Sequence, residues 1–180
     1  MDYDFITKLE MNDFKSVCHL FDTTVAYAYG KEGIGHLKEE ICKEAERKKK
    51  MFLDSLVKPE SGILFLVAKK EGRVIGSISF APCGDDIRSC TSHKLDAVGE
   101  LGSLYILPEF QGRGIGSALI HAMIRHIHSL GIEQFCLDCG YKHAQQKWLR
   151  KFGEPDIVAK DYWGKGSDHM VWLCHVKDYL

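Results

Sequence analysis

The sequence predicts one mixed α/β domain over residues 1–180, with an antiparallel front and one parallel crossover, and three observations carry that prediction. The length of 180 residues corresponds to about one domain at the usual ~150 residues each. In GILFLVAKKEGRVIGSISFAP, two apolar, β-rich segments flank a polar turn containing Gly, which is the pattern of a hairpin. Over residues 100–130 a strand, a glycine-rich turn and an amphipathic helix follow in sequence, as a parallel crossover requires. No linker or internal repeat divides the chain.

Each element has a local reason. Asp4 to Glu10 can form a first strand, after which Asn12 or Asp13 caps a helix. That helix carries Phe14, Val17, Cys18, Phe21 and Val25 near helical spacing and is expected to end at Gly30. A long charged helix is expected from His36 to about Lys58, with Glu44–Lys48 and Glu46–Lys50 as i, i+4 pairs and Pro59 as its stop. The run Arg47-Lys48-Lys49-Lys50 on this Glu-rich helix reads as a solvated face rather than a phosphate patch. The hairpin turns at Lys69 to Arg73, and Cys83 to Gly99, without clear period, reads as a long loop. Glu100 to Leu107 is a strand that stops at Pro108. Ile115, Ala118, Leu119, Ala122, Met123, Ile127 and Leu130 then make one helical stripe, closed by Gly131. A strand at Gln134–Cys139, a short helix at His143–Phe152 and closing strands at Ile157–Lys160 and Met170–Val176 complete the order.

Composition narrows the partners. Apolar residues at 45% and charged residues at 27% exclude a disordered chain. With 24 Lys and Arg against 25 Asp and Glu, no global field draws the chain to nucleic acid or anionic lipid, so any anion is held locally. The odd count of seven cysteines, scattered rather than dense, favours a reducing compartment. The segment MDYDFITKLE is acidic where a signal peptide is basic. The longest strongly apolar run, Ile63 to Ala68, falls far short of the roughly 20 residues of a spanning helix. A soluble, cytoplasmic protein is expected, with no membrane partner; a homodimer stays open.

The chemistry is expected at the carboxyl end of the 100–107 strand, where ligands of such sheets tend to sit. That place is occupied by Gln111-Gly112-Arg113-Gly114-Ile115-Gly116-Ser117, at a helix amino terminus whose unpaired N–H groups and dipole attract anions. Glycine lets a pyrophosphate approach the backbone, and Gln111 and Arg113 can add side-chain donors. A tight turn that merely packs helix on strand is the plainer alternative. Spacing discriminates between phosphate loops. A Walker loop needs a Lys that is absent here, and a Gly-x-Gly-x-x-Gly fingerprint begun at Gly112 meets Ser117 in its last place. Gln-x-x-Gly-x-Gly, from Gln111 through Gly114 to Gly116, fits, after a strand of the form LYILPEF.

On these residues the chain resembles the GNAT superfamily of N-acetyltransferases, closely over 100–130 and in element order over nearly the whole length. The resemblance implies a mostly antiparallel central sheet flanked by helices on both faces, with a parallel strand pair splayed at an acetyl-CoA site. It further implies that backbone amides of Gln111 to Ser117 hold the CoA pyrophosphate and that Leu104, Tyr105 and Ile106 pair with the pantetheine like an added strand. The activity implied is acetyl transfer from acetyl-CoA to a primary amine by direct attack in a ternary complex. The acceptor, a small molecule or a peptide, is not legible. The loop 83–99 and the helices of 12–58 are the candidate lid over it.

An ammonium must lose a proton before it attacks, and Glu100 is the candidate base. It lies six residues before Ile106, so regular strand periodicity puts the two on one face, and family members carry a catalytic Glu at the matching position. The family's usual thiolate-protonating Tyr is replaced by Leu149 in Trp148-Leu149-Arg150-Lys151-Phe152-Gly153. Thiolate leaves tolerably at a pKa of about 8.5, and Tyr141, Tyr162 or His169 can substitute, with Tyr141 the candidate acid. A non-catalytic acyl-CoA-binding or regulatory module of the same fold is the alternative that Leu149 supports. Trp148, Tyr162, Trp163 and Trp172 are candidates for a slot lining or for core. Cys136-x-x-Cys139 lies in a strand, where odd separation sends the two thiols to opposite faces, so no metal is expected. His121, His126 and His128 read as a solvated helix face.

Overall fold

In the computed structural model, which describes residues 6–180, the hairpin anticipated in the sequence is the centre of the sheet. Its strands are β2 (Leu64–Lys70) and β3 (Arg73–Ala81), joined by Glu71 and Gly72, both with positive φ. A two-residue turn of that kind matches the twist of the flanking strands. On one side β2 takes β1 (Ile6–Lys8); residues 4 and 5 of the expected first strand lie outside the described residues. On the other side β3 takes β4 (Gly99–Ile106), followed by β5 (Gln134–Cys139) and, beyond it, β7 (His169–His175) and β6 (Ile157–Ala159). The seven strands are ordered β1-β2-β3-β4-β5-β7-β6, and every neighbouring pair is antiparallel except β4–β5.

Helices cover both faces. On one, α1 (Phe14–Lys31) and α2 (Lys38–Val57) bring Phe21 and Phe52 against Phe65 of β2, with ring centroids 6.4 and 6.3 Å apart. On the other, α4 (Ile115–Ser129) buries Leu119, Met123 and Ile127 as its spacing predicts. Ile120 and Ile124 are buried too, while Leu130, expected on the stripe, is 55% exposed. The stripe is therefore wider at its middle and ends a turn earlier, where Gly131 takes φ +76. The short α5 (Lys142–Phe152) stacks Phe152 on Phe135 of β5 at 6.0 Å.

Three local expectations are corrected. The stretch 83–99 is not all loop: α3 (Asp85–Thr91) forms within it, with two aspartates in its first turn. It is too short to show a period, and one fully buried residue, Ile87, anchors it against Cys83, Cys136 and Val171. The first helix runs through Gly30 to Lys31 and stops only before Gly33, which has φ +77. Glu46 pairs with Lys49 at 2.8 Å rather than with Lys50, whereas Glu44 does reach Lys48, at 3.5 Å.

Candidate functional site

The strands part at one defined point. β4 and β5 pair at Gly99–Phe135 and Glu100–Cys136 and nowhere further, so from Leu101 onward β4 keeps β3 alone. Within that stretch Gly102 faces Ser79 and Tyr105 faces Ser77, which leaves Ser103 and Leu104 opposite Ile78. This is a β-bulge, with Ser103 at φ 47, and bulges bend a strand and end its pairing.

The bulge also overturns one expectation. A regular strand would put Glu100 and Ile106 on one face, but the extra residue reverses the alternation between them. Ile106 lies against α4: a Cβ on Gly76 would meet both Ile106 Cδ1 and Leu119 Cδ1. Tyr105 instead points to α1 and α2, its ring 5.8 Å from that of Phe21 and 5.9 Å from Lys48 Nζ. Glu100 shares that side, facing Arg47 and Lys48 across a cavity of about 260 Å³ that Met51 and Ser79 also line. A larger cavity, of about 580 Å³, opens at the far ends of the same strands, around Gly99 and Gln134, away from the glycine-rich turn.

Glu100 Oε2 accepts the Gly84 N–H at 2.8 Å. Burial, and then the neighbouring Asp138 carboxylate, push the Glu100 carboxyl above the ordinary glutamate value; the Gly84 N–H, Lys48 and Arg47 oppose this without reversing it. Lys48 is itself buried, which pushes its ammonium below the ordinary lysine value. Arg47 is engaged by Glu44 through two bonds of 2.8 and 2.9 Å.

At the other end of the opened strand, Gly112 and Gly114 take φ +75 and +82, so the chain turns sharply into α4. The first-turn N–H groups of Ile115, Gly116 and Ser117 have no helical carbonyl behind them. Gly116 is instructive. Its backbone is ordinary helix, and a Cβ there would meet only Leu104 Cδ2, at 3.9 Å. Glycine costs a helix about 1 kcal/mol, and among the described residues no packing contact requires it here. Of the expected side-chain donors, Gln111 Nε2 donates to Ile106 O at 3.0 Å, and Arg113 donates to Glu109 O at 2.8 Å and lies over the Phe110 ring. Both bonds brace the turn. In the bulge, buried Ser103 Oγ has no hydrogen-bond partner among the described residues.

The remaining candidates separate into slot and core. Tyr141 stands just before α5 as its N-cap and meets Tyr29 of α1 edge-on at 5.9 Å; burial pushes its phenol well up. Leu149 packs into the main core. Trp172 is buried with its Nε1 donating to Gly153 O, and Trp148 stacks on Phe152, so both are packing residues. Tyr162 and Trp163 are exposed at the rim. Cys136 and Cys139 enter different clusters on opposite faces, and burial pushes the Cys139 thiol up to about 12. Sequence reading passed over Asp138. Its Oδ2 lies 3.0 Å from His169 Nε2, while His169 Nδ1 accepts the Trp163 indole N–H at 3.0 Å. A carboxylate separated in sequence from its histidine gave no motif to find.

A mixed sheet that parts beside a helix start with unpaired N–H groups defines a class: an α/β fold shaped to receive an extended, anionic ligand. The family model for acetyltransferases of the GNAT family matches residues 37–153, and the chain belongs to that family. Over 95 residues it is 30% identical to the uncharacterized N-acetyltransferase YjhQ of Escherichia coli K12. That alignment covers 52% of this chain and 48% of the relative, so the chain spans about half the length of the curated relative it matches. Among solved structures, a protein assigned to the GNAT family from Desulfovibrio desulfuricans superposes with a TM-score of 0.72 at 15% identity, covering 96% of this chain and 98% of that one. The PaiA N-acetyltransferase of Thermoplasma acidophilum, solved in complex with coenzyme A, superposes with a TM-score of 0.65 at 20% identity, covering 93% and 97%.

Proposed function

We propose that the protein moves an acetyl group from acetyl-CoA to a primary amine by direct attack in a ternary complex. The observation that carries this reading is that β4 loses its β5 partner after Glu100, along the stretch that leads into the unpaired N–H groups of α4. An opened strand edge can pair with pantetheine amides along Leu104, Tyr105 and Ile106, and the backbone of Gln111 to Ser117 can then take the pyrophosphate. Bound acetyl-CoA supplies the activated acetyl thioester; the chain supplies position and proton transfer. Glu100, ionised, takes a proton from the acceptor ammonium, and burial, by raising its carboxyl, makes it a stronger base than an ordinary glutamate. Tyr141 is the donor that returns a proton on the leaving side, since Leu149 cannot. We further propose a reducing, cytoplasmic setting, supported by seven free cysteines. Among the described residues no helix is long and apolar enough to cross a membrane.

Isothermal titration with acetyl-CoA tests the cradle. Wild type is expected to give binding heat and Gly114→Glu none, because a carboxylate on a φ +82 residue at the helix start both strains the turn and repels pyrophosphate. Equal heats for the two proteins, or none for either, would sink the reading. Thiol release in the presence of an amine panel addresses catalysis: tight binding without release for any amine favours the non-catalytic module that Leu149 suggests.

A further inference from the structure

We propose that Asp138 is the second carboxylate of the acceptor site: its Oδ1 holds the acceptor ammonium across the slot from Glu100, and His169, fixed by Trp163, aims it. The assignment rests on the acceptor-amine reading above and gives it a second contact.

Register brings the two acids together. Glu100 and Cys136 are partners in a parallel pair, so their side chains share a face, and Asp138, two residues on, shares it too. It stands where β4 has already departed, beside Gly102 rather than a side chain. A Cβ on Gly102 would come within 3.0 Å of Glu100 Oε1, so that glycine keeps the oxygen clear. Each acid commits one oxygen to the protein, Glu100 Oε2 to Gly84 N–H and Asp138 Oδ2 to His169. Among the described residues the other two oxygens, Oε1 and Oδ1, have no hydrogen-bond partner.

The aiming device is built, not incidental. The Trp163 indole has only a proton to give, so the hydrogen-bond pattern assigns the His169 proton to Nε2, where it is donated to Asp138. His169 is 3% exposed, while the Asp138 side chain keeps 23%. Gly140 admits the indole: a Cβ there would lie 2.5 Å from Trp163 Nε1 and 3.2 Å from His169 Nδ1. Tyr162 stacks on His169 at 5.2 Å and ties this loop to Asp86 of α3. A buried ring is thus held at both nitrogens so that a half-open carboxylate points one way.

Charge then selects the ligand. Around Glu100 are Arg47 and Lys48 from α2, both paired with Glu44, Cys83 before α3, and Cys136 and Asp138 from β5. Arg47 and Lys48 against Glu44 leave one positive charge for two carboxylates. With both carboxylates ionised the group is one cation short, and a primary ammonium between Oε1 and Oδ1 would supply it. The chemistry balances: the ammonium proton passes to Glu100, and the freed lone pair forms the C–N bond. The C–S bond breaks with its electron pair on sulfur, the nitrogen sheds its second proton as the amide forms, and sulfur takes one proton to become the thiol, so the two balance.

Carboxyl ¹³C NMR titration of wild type and Asp138→Asn, with Glu100→Gln assigning the resonance, tests the pair. Asn keeps the acceptor for His169, so the fold is retained while the charge is lost. The Glu100 midpoint is expected to fall in Asp138→Asn and to return toward wild type in Asp138→Glu. In steady state with spermidine, kanamycin and an alanyl-terminated peptide, Asp138→Asn is expected to raise KM for the accepted amine roughly tenfold. The KM for acetyl-CoA should stay unchanged. An unmoved Glu100 midpoint or an unmoved amine KM overturns the assignment. Loss of acetyl-CoA binding by wild type would instead overturn the transferase reading, leaving the NMR result to judge the pair.

Discussion

Glu100 is held at a cost to the fold. A carboxyl that burial and Asp138 push above its ordinary value of 4.5 is stabilised in its protonated form by folding. Below the unfolded value both states are protonated and Glu100 costs nothing. As pH rises through the raised folded value, the folded state must ionise a desolvated group beside a second carboxylate, and stability falls. Glu100→Gln is therefore expected to melt at a higher temperature than wild type at pH 7.5, with the advantage gone by pH 4. The same substitution should lower turnover about 10²-fold or more at neutral pH and remove the acidic limb of the rate profile. A variant that turns over as wild type does from pH 6 to 9 would remove Glu100 from the mechanism. Glu100 was picked by regular alternation with Ile106, which fails at the bulge; Asp138 was not legible at all, because its partners His169 and Trp163 are brought to it only by folding.

One residue in the wrong conformation governs a whole element. Ser103 sits at φ 47, which side chains with a Cβ disfavour, and it is 7% exposed. Ser103→Val adds β-branching at that φ and is expected to destabilise by roughly 1–3 kcal/mol in urea denaturation. It should weaken acetyl-CoA binding more than its distance from the glycine turn suggests, because a strand pulled back into regular register closes the slot. Unchanged affinity would show that the opening does not depend on the bulge. Long periodic helices and the two-residue hairpin could be read from sequence, since their signals lie within the element. The bulge could not, because two-against-one pairing is a relation between strands. Nor could the capping of α5, whose N–H groups at Lys142 and His143 are bound by Glu32 from the end of α1.

At the scale of the whole molecule, the slot is a gap in a sheet held closed everywhere else. Phe52, fully buried on α2, packs against Phe14 and Phe65 and fixes the helix that carries Arg47 and Lys48 over Glu100. Phe52→Ala is expected to cost about 3–5 kcal/mol, read as a lower urea midpoint. In protein that remains folded it should raise KM for the amine while leaving the acetyl-CoA heat intact, because α4 and its cradle belong to the opposite face. Equal loss of both ligands would mean that the two faces do not act separately.

The sequence by itself determined the mixed α/β order, the hairpin, the main helices and the glycine-rich turn into α4. Each of these is a pattern of neighbours along the chain, where propensity, spacing and turn chemistry act directly. Only the tertiary structure decided which face Glu100 occupies, how Gln111 and Arg113 spend their donors, that 83–99 holds a helix, and that Asp138 stands opposite Glu100. Those are matters of register and packing between segments distant in sequence, and a single extra residue in β4 is enough to reverse what regular alternation would assign.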